Sequence, residues 1–562
     1  MQQRHTKKLA LAISLVLSAC TTTTRTSTTL APQEFYGSSQ PFTKEAVYFV
    51  MTDRFVDGDP SNNHPQQGGK YPTFGLPLSN ESGDTAYVGY MGGDLQGVLN
   101  NAAYIKDMGF TAVWLTPILD NPDEAFSGGE PITFGGAFKD GGKTGYHGYW
   151  ANNFYQMDEH LGSPGLDYKA FTQQMREKFG LKSVLDIVAN HGTPSFDMPE
   201  DQAKFGELYD RDGKLVADHQ NLPPEALDPA KPLHDFFHKF PDILQLSNLD
   251  ESNAQVQDYL INSYLYWIEQ GADAFRIDTI RHVPHAFWRL MSDRIRAKYP
   301  NFYMFGESFN YDANFIAQHT LAKNGAISVL DFPQQKAIVS VFENPDSDFA
   351  ELEKVLYLTH GPYENPYELT TFYDNHDMPR MNASDEGFID ANNWLFTSRG
   401  IPVVYQGSEL GFMRGKAEHQ GNRNYLGQAN IELAKQHPIH HALSRVANLR
   451  KNIPALQNGL QVNIELAGNK AAFYRVLVKE GVSQVALVML NKGDTAAEFS
   501  VNKALQQGVW YRQSSDEQRN ISDRQDTLNS SVGPHDVQVW LYKGEVTQEA
   551  LLTELSALMR YK

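Results

Sequence analysis

The chain has 562 residues, with 48 Lys and Arg against 67 Asp and Glu and a single cysteine. One cysteine excludes an intramolecular disulfide and Cys-based zinc or iron–sulfur sites, and a formal charge of −19 argues against nucleic acid, whose binding draws on clustered Lys and Arg. The 12% of aromatic residues exclude a disordered chain and suit stacking on a neutral sugar.

Residues 1–19 read as an export signal: Arg4, Lys7 and Lys8 precede the apolar run Leu9 to Ala19, which is too short to span a bilayer. Its end, Leu17-Ser18-Ala19-Cys20, resembles the lipobox of bacterial lipoproteins, which would make Cys20 the lipidated first residue of the mature chain. That loss of three basic residues takes the charge from −19 to −22. A Thr-rich tether (20–44) follows. The expected location is therefore outside the cytoplasm, at the outer membrane, with the lipid as the only membrane contact.

From Ala46 to about Leu456, apolar runs alternate with helical patterns: AVYFVMTDRF (46–55), TAVWLTPI (111–118), SVLDIVAN (183–190), DAFRID (273–278), FYMFGES (302–308), AISVLDF (326–332), LTTFYDN (369–375) and GIPVVYQGSE (400–409). Between them, stretches such as 94–109 and 253–271 repeat apolar residues every three or four. Eight strands, each followed by a helix, predict an α/β fold with a (β/α)8 TIM barrel over 45–191 and 251–457, its interior filled by Val, Ile and Leu. Residues 192–250 are too long for a simple connection and are expected to form a lid domain after strand 3. Alternating patterns such as FYRVLV (473–478) and QVALVMLN (484–491) then predict a C-terminal antiparallel β-sandwich over 458–545. Within 546–562, Leu551, Leu552, Leu555, Leu558 and Met559 share one face of a closing helix, expected to pack on that sandwich.

Barrel enzymes carry their chemistry where the strands end, and three carboxylates stand there: Asp278, Glu307 and Asp377. Arg276 precedes Asp278 by two residues on the same strand face, where a guanidinium would keep the carboxylate ionised and able to attack. Glu307 follows the apolar run FYMFG, and a desolvated Glu has a raised pKa suited to donating a proton. Two such carboxyls roughly 5 Å apart are what a retaining glycosidase needs.

DIVANH (186–191), GADAFRID (271–278), FGES (305–308) and FYDNHD (372–377) occur in that order and resemble the four signature regions of the α-amylase family. The resemblance extends through TGYHGYW (144–150) and covers about residues 45–545. It implies that Asp278 is the nucleophile, Glu307 the general acid/base and Asp377 the residue that distorts the sugar. It also implies substrate contacts from His147, Tyr149, His191, Arg276, His282 and His376.

TDRFVDGDPSNN (52–63) and GGDLQG (92–97) resemble the amino-terminal calcium site of cyclodextrin glucanotransferases. Asp57, Asp59, Asn62, Asn63, Asp94 and the Gly92 carbonyl are the implied ligands, oxygen donors of the kind calcium takes. A second family calcium site would use Asn190 and the His282 carbonyl, but the lid Asp expected within QLSNLD (245–250) is Asn248.

Within the family, cyclising glucanotransferases carry an aromatic residue at the lid centre, where LVADHQNLPP (215–224) has none, and further β domains after the first sandwich, where this sequence ends at Lys562. Retaining, endo-type hydrolysis of α-1,4-glucosidic bonds in starch or maltodextrins by a calcium-dependent monomer is therefore the expectation. A cyclodextrin glucanotransferase or other 4-α-glucanotransferase is the alternative, and a non-catalytic glucan-binding lipoprotein the remote one.

Overall fold

A computed structural model describes residues 33–202 and 204–559. The export signal and residues 20–32 of the tether, Cys20 among them, lie outside the described residues. From Phe35 to Lys44 the chain is packed and not tether, since Phe35 pairs with Val478, Pro41–Lys44 forms a helical turn and Phe42 is buried. Among the described residues no helix is long and apolar enough to cross a membrane.

Eight strands make one parallel sheet: β1 (Val47–Val50), β2 (Ala112–Leu115), β3 (Lys182–Ile187), β4 (Ala274–Ile277), β5 (Tyr303–Gly306), β6 (Ser328–Val329), β7 (Thr370–Thr371) and β8 (Ile401–Tyr405). Neighbours follow chain order around the ring, β8 lies beside β1, and a parallel bridge from Leu330 to Thr370 spans the remaining gap between β6 and β7. Each strand falls on one of the eight runs read from the sequence, β3 starting one residue early at Lys182. Successive side chains of a strand point to opposite faces, and the core divides accordingly. Tyr48, Val50, Val113, Leu115, Leu185, Phe275 and Ile277 join the large cluster shared with the helices. Val47, Phe49, Trp114, Val184, Ala274, Phe305, Val403 and Tyr405 form a separate inner cluster.

That interior is largely aromatic, not the Val, Ile and Leu filling expected. Phe49 stacks on Trp114 at 3.9 Å and on Tyr405 at 5.0 Å. Much of the aromatic content that suited sugar stacking is thus barrel core. The helical pattern at 94–109 also divides, into Leu95–Asn100 and Ala102–Asp107.

The lid draws on two loops. Glu207–Tyr209 and Leu215–Asp218 pair with each other, and the sheet continues through Asn153–Met157 to Leu119–Asp120, which belong to the connection between β2 and β3. A second pair, His191–Pro194 with Leu246–Asn248, closes the base of the insertion.

Beyond the barrel, β9 (Leu460–Ala467), β10 (Lys470–Lys479), β11 (Val482–Asn491), β12 (Ala497–Val501), β13 (Gly508–Arg512), β14 (Gln518–Ile521), β15 (Leu528–Val532) and β16 (Asp536–Lys543) form two antiparallel sheets. Six strands run in the order β9-β10-β11-β16-β13-β14, and β12 pairs with β15. The helix Glu549–Leu558 buries Leu551, Leu555 and Leu558 in the cluster that contains Trp510 and Trp540. On the barrel side, Trp394 meets Phe473 edge-on at 5.9 Å, and Arg475 donates to the carbonyls of Thr397 and Ser398 at 2.7 and 2.6 Å.

Candidate active site

The period-2 pattern of β4 places Arg276 between Phe275 and Ile277, which face the helices, and so turns its side chain into the barrel with Asp278. The register pairs Asp186 with Arg276 and Ile277 with Gly306, and Glu307 N donates to the Ile277 carbonyl at 2.8 Å. Asp278 and Glu307 therefore follow register partners on adjacent strands, whose spacing is about 4.8 Å. Arg276 joins them: Nη1 lies 2.9 Å from Asp278 Oδ1 and Nη2 lies 2.9 Å from Glu307 Oε2. Nη1 also meets Asp186 Oδ1 at 2.9 Å, while Trp114 Nε1 donates to Asp186 Oδ2 at 3.0 Å.

Asp377 enters from the loop after β7. Its Oδ2 is 3.2 Å from His376 Nε2 and 3.9 Å from Arg276 Nη2, and its Oδ1 is 2.6 Å from Arg423 Nη2. Arg423 further holds the His376 carbonyl at 2.9 Å and Glu418 at 2.7 Å. Tyr149 OH lies 2.9 Å from Asp186 Oδ2 and 2.8 Å from His376 Nε2. A cavity of about 200 Å³ is lined by His147, Tyr149, Trp150, His191, Asp278 and Asp377, with Ile243, Leu244 and Leu246 from the lid. His147 Nδ1 accepts the Tyr149 N–H at 3.1 Å.

The two carboxyls nearest Arg276 Nη2 differ in protonation. Burial pushes Glu307 well above the usual carboxylate range, the charges of Asp377 and Asp278 push the same way, and Arg276 opposes them. Burial acts upward on Asp377 too, but His376, Arg423, Arg276 and a hydrogen bond with Glu307 outweigh it and hold Asp377 at about 2. The proton of this pair stays on Glu307. Burial also lowers His376 to about 3 and depresses His147 and His191, so all three rings are neutral.

Of the residues read from the sequence, Asp278, Glu307, Asp377, Arg276, His376, Tyr149, His147 and His191 come together. His282 does not join them: its ring pairs with the lid carboxylate of Asp242, Nδ1 to Oδ2 at 3.1 Å. The same Asp242 Oδ2 accepts from Asn190 at 2.9 Å, while Asn248 donates to the Phe240 carbonyl at 3.2 Å. The carboxylate linking lid and barrel is thus Asp242, outside the 245–250 stretch where it was sought. The lid residues that line the cavity are the aliphatic Ile243, Leu244 and Leu246, and 215–224 contributes none of its lining.

Sequence reading also missed Asp186 as the third partner of Arg276, although it stood in a quoted motif. It missed Arg423 and Glu418, which carry no local signal, and Phe138, which is 86% exposed at the cavity rim.

In the 57–94 loop, Asp94 accepts from Gly58 N, Asp59 N, Asn62 Nδ2 and Gly97 N, and Asp59 Oδ1 accepts from Ser61. Asp57 Oδ1, Asn62 Oδ1 and Asn63 Oδ1 are buried without a donor. Three orphaned oxygens in one loop fit a hard cation. Gly92 is required beside them: its φ is +91°, and a Cβ would sit 2.6 Å from Asn63 Oδ1.

The family model of the α-amylase catalytic domain matches residues 49–545. A cyclomaltodextrin glucanotransferase from Klebsiella oxytoca is 28% identical over 550 residues, 89% of this chain and 78% of the relative. Among solved structures, an Anoxybacillus α-amylase aligns with a TM-score of 0.67 at 25% identity over 90% of this chain and 99% of that one. A cyclomaltodextrin glucanotransferase described as having a three-domain ABC distribution aligns at 0.68 and 28% identity over 89% and 99%. Such a transferase without further domains removes domain count as a criterion between hydrolysis and transfer. The match across barrel, lid and sandwich, with the carboxylate trio assembled at the strand ends, shows that this chain belongs to the α-amylase family of glucan-acting enzymes.

Proposed function

We propose that the protein is a retaining, endo-acting hydrolase of α-1,4-glucosidic bonds in starch and maltodextrins. The observation that carries this reading is the placement of Asp278 and Glu307 directly after register partners of adjacent strands, each 2.9 Å from the same guanidinium, which supports the neighbouring pair of carboxyls that a covalent route requires. Protonated Glu307 gives its proton to the glycosidic oxygen while Asp278 attacks the anomeric carbon. The Glu307 carboxylate then takes a proton from the water that releases the sugar. Asp377, with His376 and Arg423, would hold the ring hydroxyls, and Tyr149 would face the apolar side of the ring.

The second reading is a 4-α-glucanotransferase, favoured by the glucanotransferase relatives. The difference lies in whether water or a sugar hydroxyl resolves the intermediate, and the aliphatic Ile243 and Leu244, which offer a curling chain no ring to wrap on, support water. Soluble starch is the test. Linear maltooligosaccharides with rising reducing ends are expected, and cyclic dextrins with little reducing-sugar release would overturn the hydrolase reading. No turnover at all would leave the glucan-binding lipoprotein.

Calcium belongs to this proposal, held by the unpartnered oxygens of Asp57, Asn62 and Asn63 with the Gly92 carbonyl and binding the 57–94 loop to the barrel. Asp94, taken up by four N–H donors, and Asp59, bonded to Ser61, leave the expected ligand set. A chelator is expected to lower the melting temperature and added calcium to restore it. The protein is proposed to act as a monomer, exported and anchored at the outer membrane through lipidated Cys20. Cys20→Ser is expected to move it from the membrane to the soluble fraction.

A further inference from the structure

Three of the eight exposed large hydrophobic side chains among the described residues, Phe309, Tyr311 and Phe315, fall within seven residues of one another in the segment that follows the acid Glu307. Exposed aromatic rings cost stability unless something covers them, and this concentration marks a surface built for contact. Beside Phe315 runs a groove of about 270 Å³, separate from the catalytic cavity and lined by Arg281, His282, His285, Phe315, Gln318 and His319.

The groove is continuous with the catalytic machinery through the chain. Arg281 stands three residues beyond Asp278, and its Nη1 donates to the carbonyl of Phe309, two residues beyond Glu307, at 2.7 Å. The same guanidinium lies over the Phe315 ring at 5.6 Å, which fixes one edge of that ring and leaves it 43% exposed. Across the groove, the His285 and His319 rings meet edge-on at 4.7 Å, and the Nδ1 atom of each is buried with no partner. Burial lowers both, His319 to about 3, so they are neutral rings with hydrogen-bonding capacity to spare.

An anion would find one cation here, already engaged, and two neutral imidazoles; a bare apolar ligand would leave the ring nitrogens unmatched. An open aromatic face bordered by amide, imidazole and guanidinium groups fits a pyranose, whose CH face stacks and whose edge carries hydroxyls. The acid protonates the leaving group, so the segment beyond Glu307 flanks the leaving-group side of the scissile bond. We propose that the Phe315 groove is a distal leaving-group-side subsite for an α-glucan chain, selecting long substrates over short ones. This rests on the glucan-cleaving reading above.

The test is the ratio of kcat/KM on maltoheptaose to that on maltotriose, compared between the full chain and Phe315→Ala, with Phe315→Trp as the conservative variant. Losing one stacking face is expected to lower the ratio about tenfold, with Phe315→Trp restoring it. An unchanged ratio overturns the proposal, whether the two substrates fall together, as for a structural residue, or neither falls. Calorimetric titration of maltoheptaose into Glu307→Gln, with and without Phe315→Ala, separates the two claims. If the native protein cleaves no glucan while Phe315→Ala still weakens binding about tenfold, the catalytic reading fails and the groove stands. Equal binding by both proteins removes the groove.

Discussion

A fully buried guanidinium is tolerated only when its charge is met, and Arg276 has three carboxylates at 2.9 Å, those of Asp186, Asp278 and Glu307. One positive charge cannot keep three neighbouring carboxylates ionised in a desolvated site, so one of them retains a proton. Glu307 is that residue: burial, with the charges of Asp377 and Asp278, raises it well above the usual carboxylate range, while Asp186, raised by burial to about 7, accepts from Trp114 and Tyr149 as well as facing Arg276. An acid kept protonated this way loses activity as pH rises through its own pKa. Asp377→Asn removes one of the like charges that raise it, so the alkaline limb of kcat/KM is expected to move to lower pH, read from a pH–rate profile. Glu307→Gln should lower kcat by about 10²- to 10⁴-fold, the usual worth of a positioned general acid. The trio itself was legible in the sequence because each member ends an apolar run. Arg423 was not, because it reaches Asp377 from 46 residues further along the chain and only the folded barrel brings them together.

Between elements, His535, just before β16, joins Arg475 in tying the helix Asp385–Thr397 to the sandwich: its Nδ1 lies 2.8 Å from Asp390 and its Nε2 3.0 Å from Asp494. The hydrogen bond to Asp390, with help from Asp494, raises His535 to about 9, above the roughly 6.5 of an unfolded histidine. A histidine raised on folding adds stability that is fully present below about 6.5 and lost as pH climbs through about 9. Burial raises Asp390 to about 6, so above about pH 7 it is ionised in folded and unfolded chains alike and adds no slope. Melting temperature is therefore expected to fall more steeply between pH 7 and pH 9.5 in the native chain than in His535→Gln. Equal slopes would remove His535 from the account. At this scale the eight barrel strands were readable, since strands covered on both faces are written as continuous apolar runs. The short strands of the lid were not, because two- and three-residue pairings leave no period to detect.

Across the whole molecule, the main apolar cluster runs without a break from barrel residues such as Trp394 and Phe396 to Phe473, Val488, Val539 and Leu541 of the sandwich. Removing the sandwich would expose that face, so barrel and sandwich are expected to unfold in one calorimetric transition; two resolved transitions would show the shared face to be energetically minor. The sequence boundary at 457 marks a change of pattern, not a seam in the packing. A similar mismatch between chain and architecture governs how the lid could be exchanged. Its four-stranded sheet takes Leu119–Asp120 and Asn153–Met157 from one connection and Glu207–Tyr209 and Leu215–Asp218 from another. A chimera that imported only residues 192–250 from a relative would strip Asn153–Met157 of its neighbour and leave an open strand edge, a template for aggregation. Recombination that is to yield a soluble enzyme has to move both segments as one inheritance unit.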